Sequence, residues 1–458
     1  MNLNSIKFIL FFALVYLGLY FVKDIKKRNI ILLLVSFAFY IFSSIKFAIL
    51  LLLFITLIYL LSLKENKNCL KIGIIISVLM LGTFKYFNFF VDSFSKVLGL
   101  SLNTVKILIP LGVSFYVFRA ISYLVDIYRG KYKAEKDFVL FALYISYFPE
   151  MISGPISRFD YLSEQFKENN QNIENLLIGI QMFVIGLFKK VVIADNLAVF
   201  VAAVFDNPEV YNSLSVVLAV IAYSIEIYMD FSGYSDMSIG VSKALGYDIK
   251  KNFDMPYISK SVTEFWKRWH ISLSSWLQEY VYYPLGGNRK GVFRQYLNLF
   301  LTMTIGGLWH GASWTFVVWG ALQGLALIVH KLFMVYKKKS NLKDMPDVVT
   351  VMLTMFFITL SWIPFRASSF GKMLIILKKI FIWSEGLAFY SSWAIVMVLI
   401  VTVTYLFVIK QNKNRTVHSY YPVQNLETVK GLFVFFLLIA SVICFGYTGG
   451  SPFIYAAF

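Results

Sequence analysis

The chain has 458 residues, 59% of them hydrophobic, 18% aromatic and 15% charged, with a formal net charge of +18. Soluble domains carry about 25% charged residues, so this composition excludes an ordinary water-soluble globule and predicts a polytopic membrane protein. The positive charge sits in short loops between apolar runs, which argues against a nucleic-acid partner and for the positive-inside pattern of a membrane chain.

In chain order, apolar runs begin near Phe8, Ile30, Phe47, Ile72, Ile107, Phe138, Leu176, Leu214, Leu297, Phe316, Val348, Trp393 and Gly431. The expected fold is therefore all-α, with about 10–13 membrane segments in one integral-membrane domain over 1–458. Phe138 to Phe148 and Leu297 to Leu308 are nearer half a span, the length of re-entrant or broken helices lining a cavity. No small-residue cleavage pattern follows Val22, so the first run is expected to stay in the mature protein. Basic clusters at Lys23–Arg28, Lys64–Lys71, Arg129–Lys136, Lys337–Lys343 and Lys410–Arg415 can all be cytoplasmic if the N-terminus is outside. That count puts the loop Asp92–Asn103 outside, and it also puts Arg366, Lys372, Lys378 and Lys379 there, which is explained if that segment is an interfacial helix.

The region 252–294 carries the densest pattern outside the spans. Ser261-Val262-Thr263-Glu264 has the form of a capping box, and Val262, Phe265, Trp266, Trp269, Leu273, Trp276, Leu277 and Tyr280 recur at helical spacing. With Lys260, Lys267 and Arg268 this predicts an amphipathic helix at the cytoplasmic interface, ended by the turn Pro284–Arg289. His270 falls at the buried edge of that helix, either as a hydrogen-bonded core histidine or as a second polar group on a substrate path.

His310 follows the apolar run Leu297–Leu308. An ionisable side chain at membrane depth costs roughly 2.5–3.5 kcal/mol when charged, so it faces a protein interior or a water-filled path, where a neutral imidazole can act as a base. Gly306, Gly307 and Gly311 allow close approach of another backbone or of a ligand, and Trp309 and Trp314 are candidate walls. His330 and His418 are read as interfacial. The four histidines are far apart in sequence and show no zincin spacing, so no metal and no bound cofactor is expected. Cys69 and Cys444 suggest neither a disulfide nor a nucleophile. P-loop, dinucleotide and Gly-x-Ser-x-Gly motifs are absent.

Asn252-Phe253, Pro256-Tyr257, the run Glu264-Phe265-Trp266-Lys267-Arg268-Trp269-His270-Ile271-Ser272-Leu273-Ser274 and Gly307-Leu308-Trp309-His310-Gly311-Ala312 together resemble the signature of the membrane-bound O-acyltransferase (MBOAT) family. The Pro284–Arg289 turn and the Trp309–Trp314 run are similar to its bacterial alginate O-acetylation branch, with the D-alanyl transfer protein of teichoic acid synthesis as a relative. The similarity runs over about Ile109–Gln323, including Tyr147–Glu150, Ser153–Ile156 and Asp230–Asp236.

The resemblance implies transfer of an acyl group, acetyl on the likeness of the Pro284–Arg289 turn to the alginate branch and D-alanyl as the alternative, with His310 as the general base on an acceptor hydroxyl. His270 would position the donor or polarise the acyl carbonyl. Trp309, Trp314, Trp266, Trp269, Glu150, Asp230 and Asp236 are the implied substrate-binding residues. The donor is a cytoplasmic thioester, acetyl-CoA or the phosphopantetheine of an acyl carrier protein, landing on Lys267, Arg268 and Arg289. Broken helices near Phe148–Ile156, Phe231–Asp236 and Gly306–Gly311 would line a central tunnel. The acceptor would be an extracytoplasmic polysaccharide, a further extracytoplasmic partner protein would complete the transfer, and membrane lipids would surround the chain in the bacterial cell membrane. Against this stand two other readings: a proton-coupled transporter, prompted by Glu150, Asp195, Glu226, Asp230 and Asp236 in or beside apolar segments, and a noncatalytic scaffold.

Overall fold

The computed structural model describes residues 1–100, 104–341, 343–412, 424–449 and 453. His418, Arg415 and Asn103 lie outside the described residues. Helix starts follow the polar residue before each apolar run. Ser5, Asp24 and Ser44 accept main-chain N–H bonds of 3.2, 2.8 and 3.4 Å and cap α1 (Ile6–Tyr20), α2 (Ile25–Ile41) and α3 (Ile45–Leu63). Such caps satisfy N–H groups that the first turn leaves without partners. α4 (Lys67–Leu81) continues through a π-helical segment, Gly82–Tyr86, into α5 (Phe87–Leu98). Then come α6 (Val113–Tyr128), α7 (Phe138–Ser146), α8 (Phe159–Gln165) and α9 (Ile173–Leu187), which passes through π-helical Phe188–Ala194 into α10 (Asp195–Asp206). The long α11 (Ser213–Ala244) precedes two short helices, α12 (Val262–Arg268) and α13 (Ile271–Leu277), and a π-helical segment Gln278–Tyr282. α14 (Val292–His310), α15 (Trp314–Lys339), α16 (Asp347–Arg366), α17 (Phe370–Phe381), α18 (Ser392–Asn412) and α19 (Val429–Phe445) complete the order.

Among the described residues, six helical stretches are long and apolar enough to cross a membrane: 45–63, 67–98, 173–206, 213–244, 314–339 and 347–366. Their outer faces carry exposed Leu53, Leu79, Val329 and Phe356, as lipid contact requires. Among the described residues the structure is all-helical apart from an isolated bridge between Tyr211 and Leu387, as the apolar runs predict. Three local expectations are corrected. The run from Ile107 starts as extended chain, because Pro110 and Gly112 (φ +68°) hold it out of a helix until Val113. The expected loop from Asp92 is helical to Leu98. The half-span at Leu297 is part of a 19-residue helix, because Val292 to Tyr296, with the polar Arg294 and Gln295, extend it backwards, and Asn298 Nδ2 within it donates to Gly287 O at 3.0 Å. The half-span at Phe138 is as expected, nine residues long, and the basic segment after Arg366 does form a short helix, α17.

The chain forms two units, Met1–Phe183 with Tyr234–Lys251, and Val184–Gly233 with Asn252–Phe458. In the first, buried cations organise the interior. Arg28 donates to Tyr247 Oη, Leu19 O, Gln171 Oε1 and Leu245 O at 2.7–3.2 Å. Arg119 Nη2 meets Glu150 Oε2 at 2.7 Å, and Ser157 Oγ donates to Glu150 Oε1 at 2.6 Å.

In the second unit, α14 and α15 pack at glycines. A Cβ at Gly307 would lie 2.4 Å from Phe316 O and 2.8 Å from Gly320 Cα, and one at Gly320 2.5 Å from Met303 O. Van der Waals packing through small residues drives such close pairing where lipid removes the hydrophobic drive. The close approach at Gly307 is thus that of a backbone, and at Gly306 and Gly311 the near neighbours are the Leu277 and Phe316 side chains. Gly307→Val is expected to lower stability by about 1–3 kcal/mol or more, since backbone cannot yield as a side chain does. The check is the unfolding midpoint in detergent beside that of Ala312→Val.

Candidate active site

The expected interfacial helix over 262–280 is broken in the middle, at Trp269 and His270. Ser261 Oγ accepts from Glu264 N at 3.2 Å as the capping box predicts, while the Glu264 carboxylate reaches back one residue further than expected, to Lys260 N at 2.9 Å. α12 then stops, because His270 adopts φ +43°, a left-handed conformation that costs a non-glycine residue about 1–3 kcal/mol. Two main-chain bonds bracket it: Asp254 N to Arg268 O at 2.9 Å and Ile271 N to Asn252 O at 2.8 Å. Nothing in the periodicity of 262–280 signals this elbow, because apolar spacing persists across it. His270 is accordingly the N-cap of α13 and fully buried, instead of lying at a helix edge.

Asn252 fixes the His270 ring. Its Oδ1 accepts from Ser272 N at 3.1 Å and Ser272 Oγ at 2.9 Å, and lies 3.2 Å from His270 Nδ1. A main-chain N–H can only donate, so that Asn252 atom is the oxygen, and His270 Nδ1 carries the proton. Outside the membrane-length helices, burial pushes the His270 pKa down to about 3, so the ring stays neutral and keeps its lone pair on Nε2.

His310, the last residue of α14, is buried at 3% exposure. Its ring centroid lies 6.3 Å from that of His270, so the two motif histidines meet. Trp309 and Trp319 stand edge-on at 5.1 Å each and Phe365 at 5.3 Å. Trp319 stacks on Trp362 at 5.7 Å, and Phe231 meets the His270 ring at 4.6 Å. Sequence reasoning missed Trp319, Trp362 and Phe365. The latter two come from α16, outside the motif-bearing stretch, and no spacing rule links them to His310.

The other expected site residues divide. Trp309 is in the histidine shell, but Trp314 starts α15 with its side chain 52% exposed, so it is not an enclosing wall. Trp266 donates to Gln323 Oε1 at 3.2 Å and packs on Trp319 at 5.8 Å. Trp269 is core, stacked on Phe265 at 5.4 Å and 5.0 Å from Trp362. Asp230 faces Lys190, whose Nζ is 2.5 Å from Asp230 and 2.8 Å from Asp195. Glu150 is held by Arg119 in the other unit, where Asp236 is also buried. Arg268 is engaged by Glu264 at 2.9 Å and Asp254 at 3.7 Å, which weakens it as a landing site, whereas Lys267 and Arg289 are exposed. His330 Nδ1 lies 2.8 Å from Thr263 Oγ1, a structural contact.

The model of the membrane-bound O-acyltransferase family matches residues 135–370, which include both histidines. A protein named a probable alginate O-acetylase in Azotobacter vinelandii is 38% identical over 382 residues, 81% of this chain and 76% of that protein. A peptidoglycan O-acetyltransferase of Helicobacter pylori is 37% identical over 382 residues, covering 76% of this chain and 72% of its own length. A teichoic acid D-alanyltransferase of Streptococcus thermophilus is 28% identical over 290 residues, 57% of this chain and 69% of that protein.

Proposed function

Because the chain belongs to the membrane-bound O-acyltransferase family and is a multi-pass membrane enzyme, we propose that it transfers acetyl from a cytoplasmic thioester to hydroxyls of an extracytoplasmic polysaccharide, with His310 as the general base. The observation that carries the reading is the buried meeting of His310 and His270, which lie 40 residues apart in sequence, with ring centroids 6.3 Å apart. An alcohol is a poor nucleophile until a positioned base takes its proton, and imidazole suits that task near neutral pH. In this scheme the His310 imidazole accepts the hydroxyl proton as oxygen attacks the thioester carbonyl carbon. The tetrahedral intermediate collapses with cleavage of the C–S bond, and the imidazolium returns the proton to the departing thiolate. No serine or cysteine nucleophile is needed.

His270 has the narrower role. With Nδ1–H turned to Asn252 and the ring neutral, its other nitrogen accepts hydrogen bonds, which fits holding a hydroxyl or imidazolium N–H and not polarising a carbonyl. Asn252→Ala is expected to cost about 1–3 kcal/mol in transition-state stabilisation through loss of ring orientation. Single-turnover acyl transfer by the purified variant checks it, and Asn252→Ser, which restores an acceptor, should recover part of the rate.

The donor is acetyl-CoA or a carrier-bound thioester, and the exposed Arg289 is its proposed electrostatic landing point. A cell-membrane location and an extracytoplasmic acetyl-accepting partner protein complete the proposal. D-alanyl transfer is the second reading, supported by the relatives of that name at lower identity. Supplying the purified enzyme with radiolabelled acetyl-CoA and with D-alanyl carrier protein separates the two. Turnover of the D-alanyl donor alone would replace the acetyl assignment.

A further inference from the structure

A cavity of about 400 Å³ opens behind the elbow, bounded by α12, α13, the following π-helical segment, α14 and α15. That volume falls in the range of small-molecule sites, roughly 300–1,000 Å³. The floor is apolar, made by Trp266, Leu277, Leu299, Met303 and Leu327. The polar lining is one-signed: Lys267 and Lys331 contribute, with Ser274, Ser275, Gln278 and Tyr282, and no carboxylate among the described residues. Trp266 and Trp319 stand between this space and His310, since Trp266 packs on Trp319 at 5.8 Å and Trp319 on His310 at 5.1 Å.

We propose that this cavity binds an anionic phospholipid, with one acyl chain against Leu299, Met303 and Leu327 and the phosphate between the ammonium groups of Lys267 and Lys331. Charge complementarity selects the occupant. A phosphate supplies acceptors for both lysines, and charge-assisted bonds of this kind are the strong ones. A zwitterionic headgroup would bring its own ammonium against them. The serine and tyrosine hydroxyls suit the polyol of a glycerol headgroup. Bound there, the lipid braces Ile271, the residue after His270, and so supports the elbow.

The test is native mass spectrometry of the full-length chain in detergent, delipidated and then offered phosphatidylglycerol and phosphatidylcholine in equal amounts. Wild type is expected to retain phosphatidylglycerol about tenfold over phosphatidylcholine, equivalent to about 1.4 kcal/mol. Lys331→Glu, and separately Leu327→Trp, which fills the floor, should abolish that preference. Lys331→Gln serves where Lys331→Glu fails to fold. Equal retention of the two lipids by wild type, or a preference unchanged in both variants, overturns the proposal. So does displacement of phosphatidylglycerol by coenzyme A, which would make the cavity part of the donor path. The readout is lipid bound, not acyl turnover, so its failure is distinct from failure of the acetyl-transfer reading.

Discussion

Replacing His310 by alanine is expected to reduce acyl turnover about 10²–10⁴-fold, the range for loss of a general base, while the variant still folds and inserts. The ring is enclosed by Trp309, Trp319 and Phe365, so a water molecule in the vacated space is a poor substitute. His310→Gln keeps volume and hydrogen-bonding capacity but not basicity, and should be as slow. Thioester consumption and polymer acylation by purified protein in vesicles provide the measurement. Wild-type turnover by His310→Ala would remove it from the chemistry and revive the scaffold reading. The pH dependence separates the two histidines: with its pKa near 3, His270 contributes no inflection between pH 5 and 8. Its pKa falls from 6.5 on folding, so the unfolded chain binds the proton first. The stability gained from keeping this ring neutral is complete above pH 6.5 and declines as the pH drops below it.

Glu150→Ala is expected to destabilise the protein by about 3–5 kcal/mol, because it strands the buried Arg119 guanidinium. Detergent-solubilised protein should lose its melting transition at markedly lower temperature. The double variant Arg119→Met with Glu150→Met should recover most of the loss, since a buried pair replaced by apolar groups of similar volume is often neutral. The family resemblance implies substrate binding by Glu150, and its place beside an apolar run prompts the transporter reading. A KM raised in the folded Glu150→Gln variant, with stability unchanged, would restore the substrate-binding role.

The apolar runs made the helical order legible, since lipid forces backbone groups to pair within each segment and the run length reports the span. The cap at Ser261 was equally readable because its partner, Glu264 N, lies three residues on. The meeting of His270 and His310 was readable only as a resemblance, for nothing in local spacing joins residues on α13 and α14. The elbow at His270 stayed hidden because its cause is non-local: Asn252 and Asp254 supply the main-chain bonds that hold it. Trp314 misled for a related reason. Its neighbours in sequence suggest a wall, but position one of a helix points according to the cap at Ser313, and Trp319, five residues on, fills the place instead.

The glycine contact of α14 with α15 sets more than a distance. It locks the azimuth and height of His310 about the axis of its helix, in the way a keyed shaft fixes a cam. One residue inserted between Gly307 and His310 would turn the imidazole by about 100°. Four inserted residues would bring the azimuth back to within a fraction of a turn yet displace the ring about 6 Å along the axis, from the 1.5 Å rise per residue. The imidazole is therefore addressed by counting from Gly307, and the short interval Leu308-Trp309 is a ruler as well as a wall.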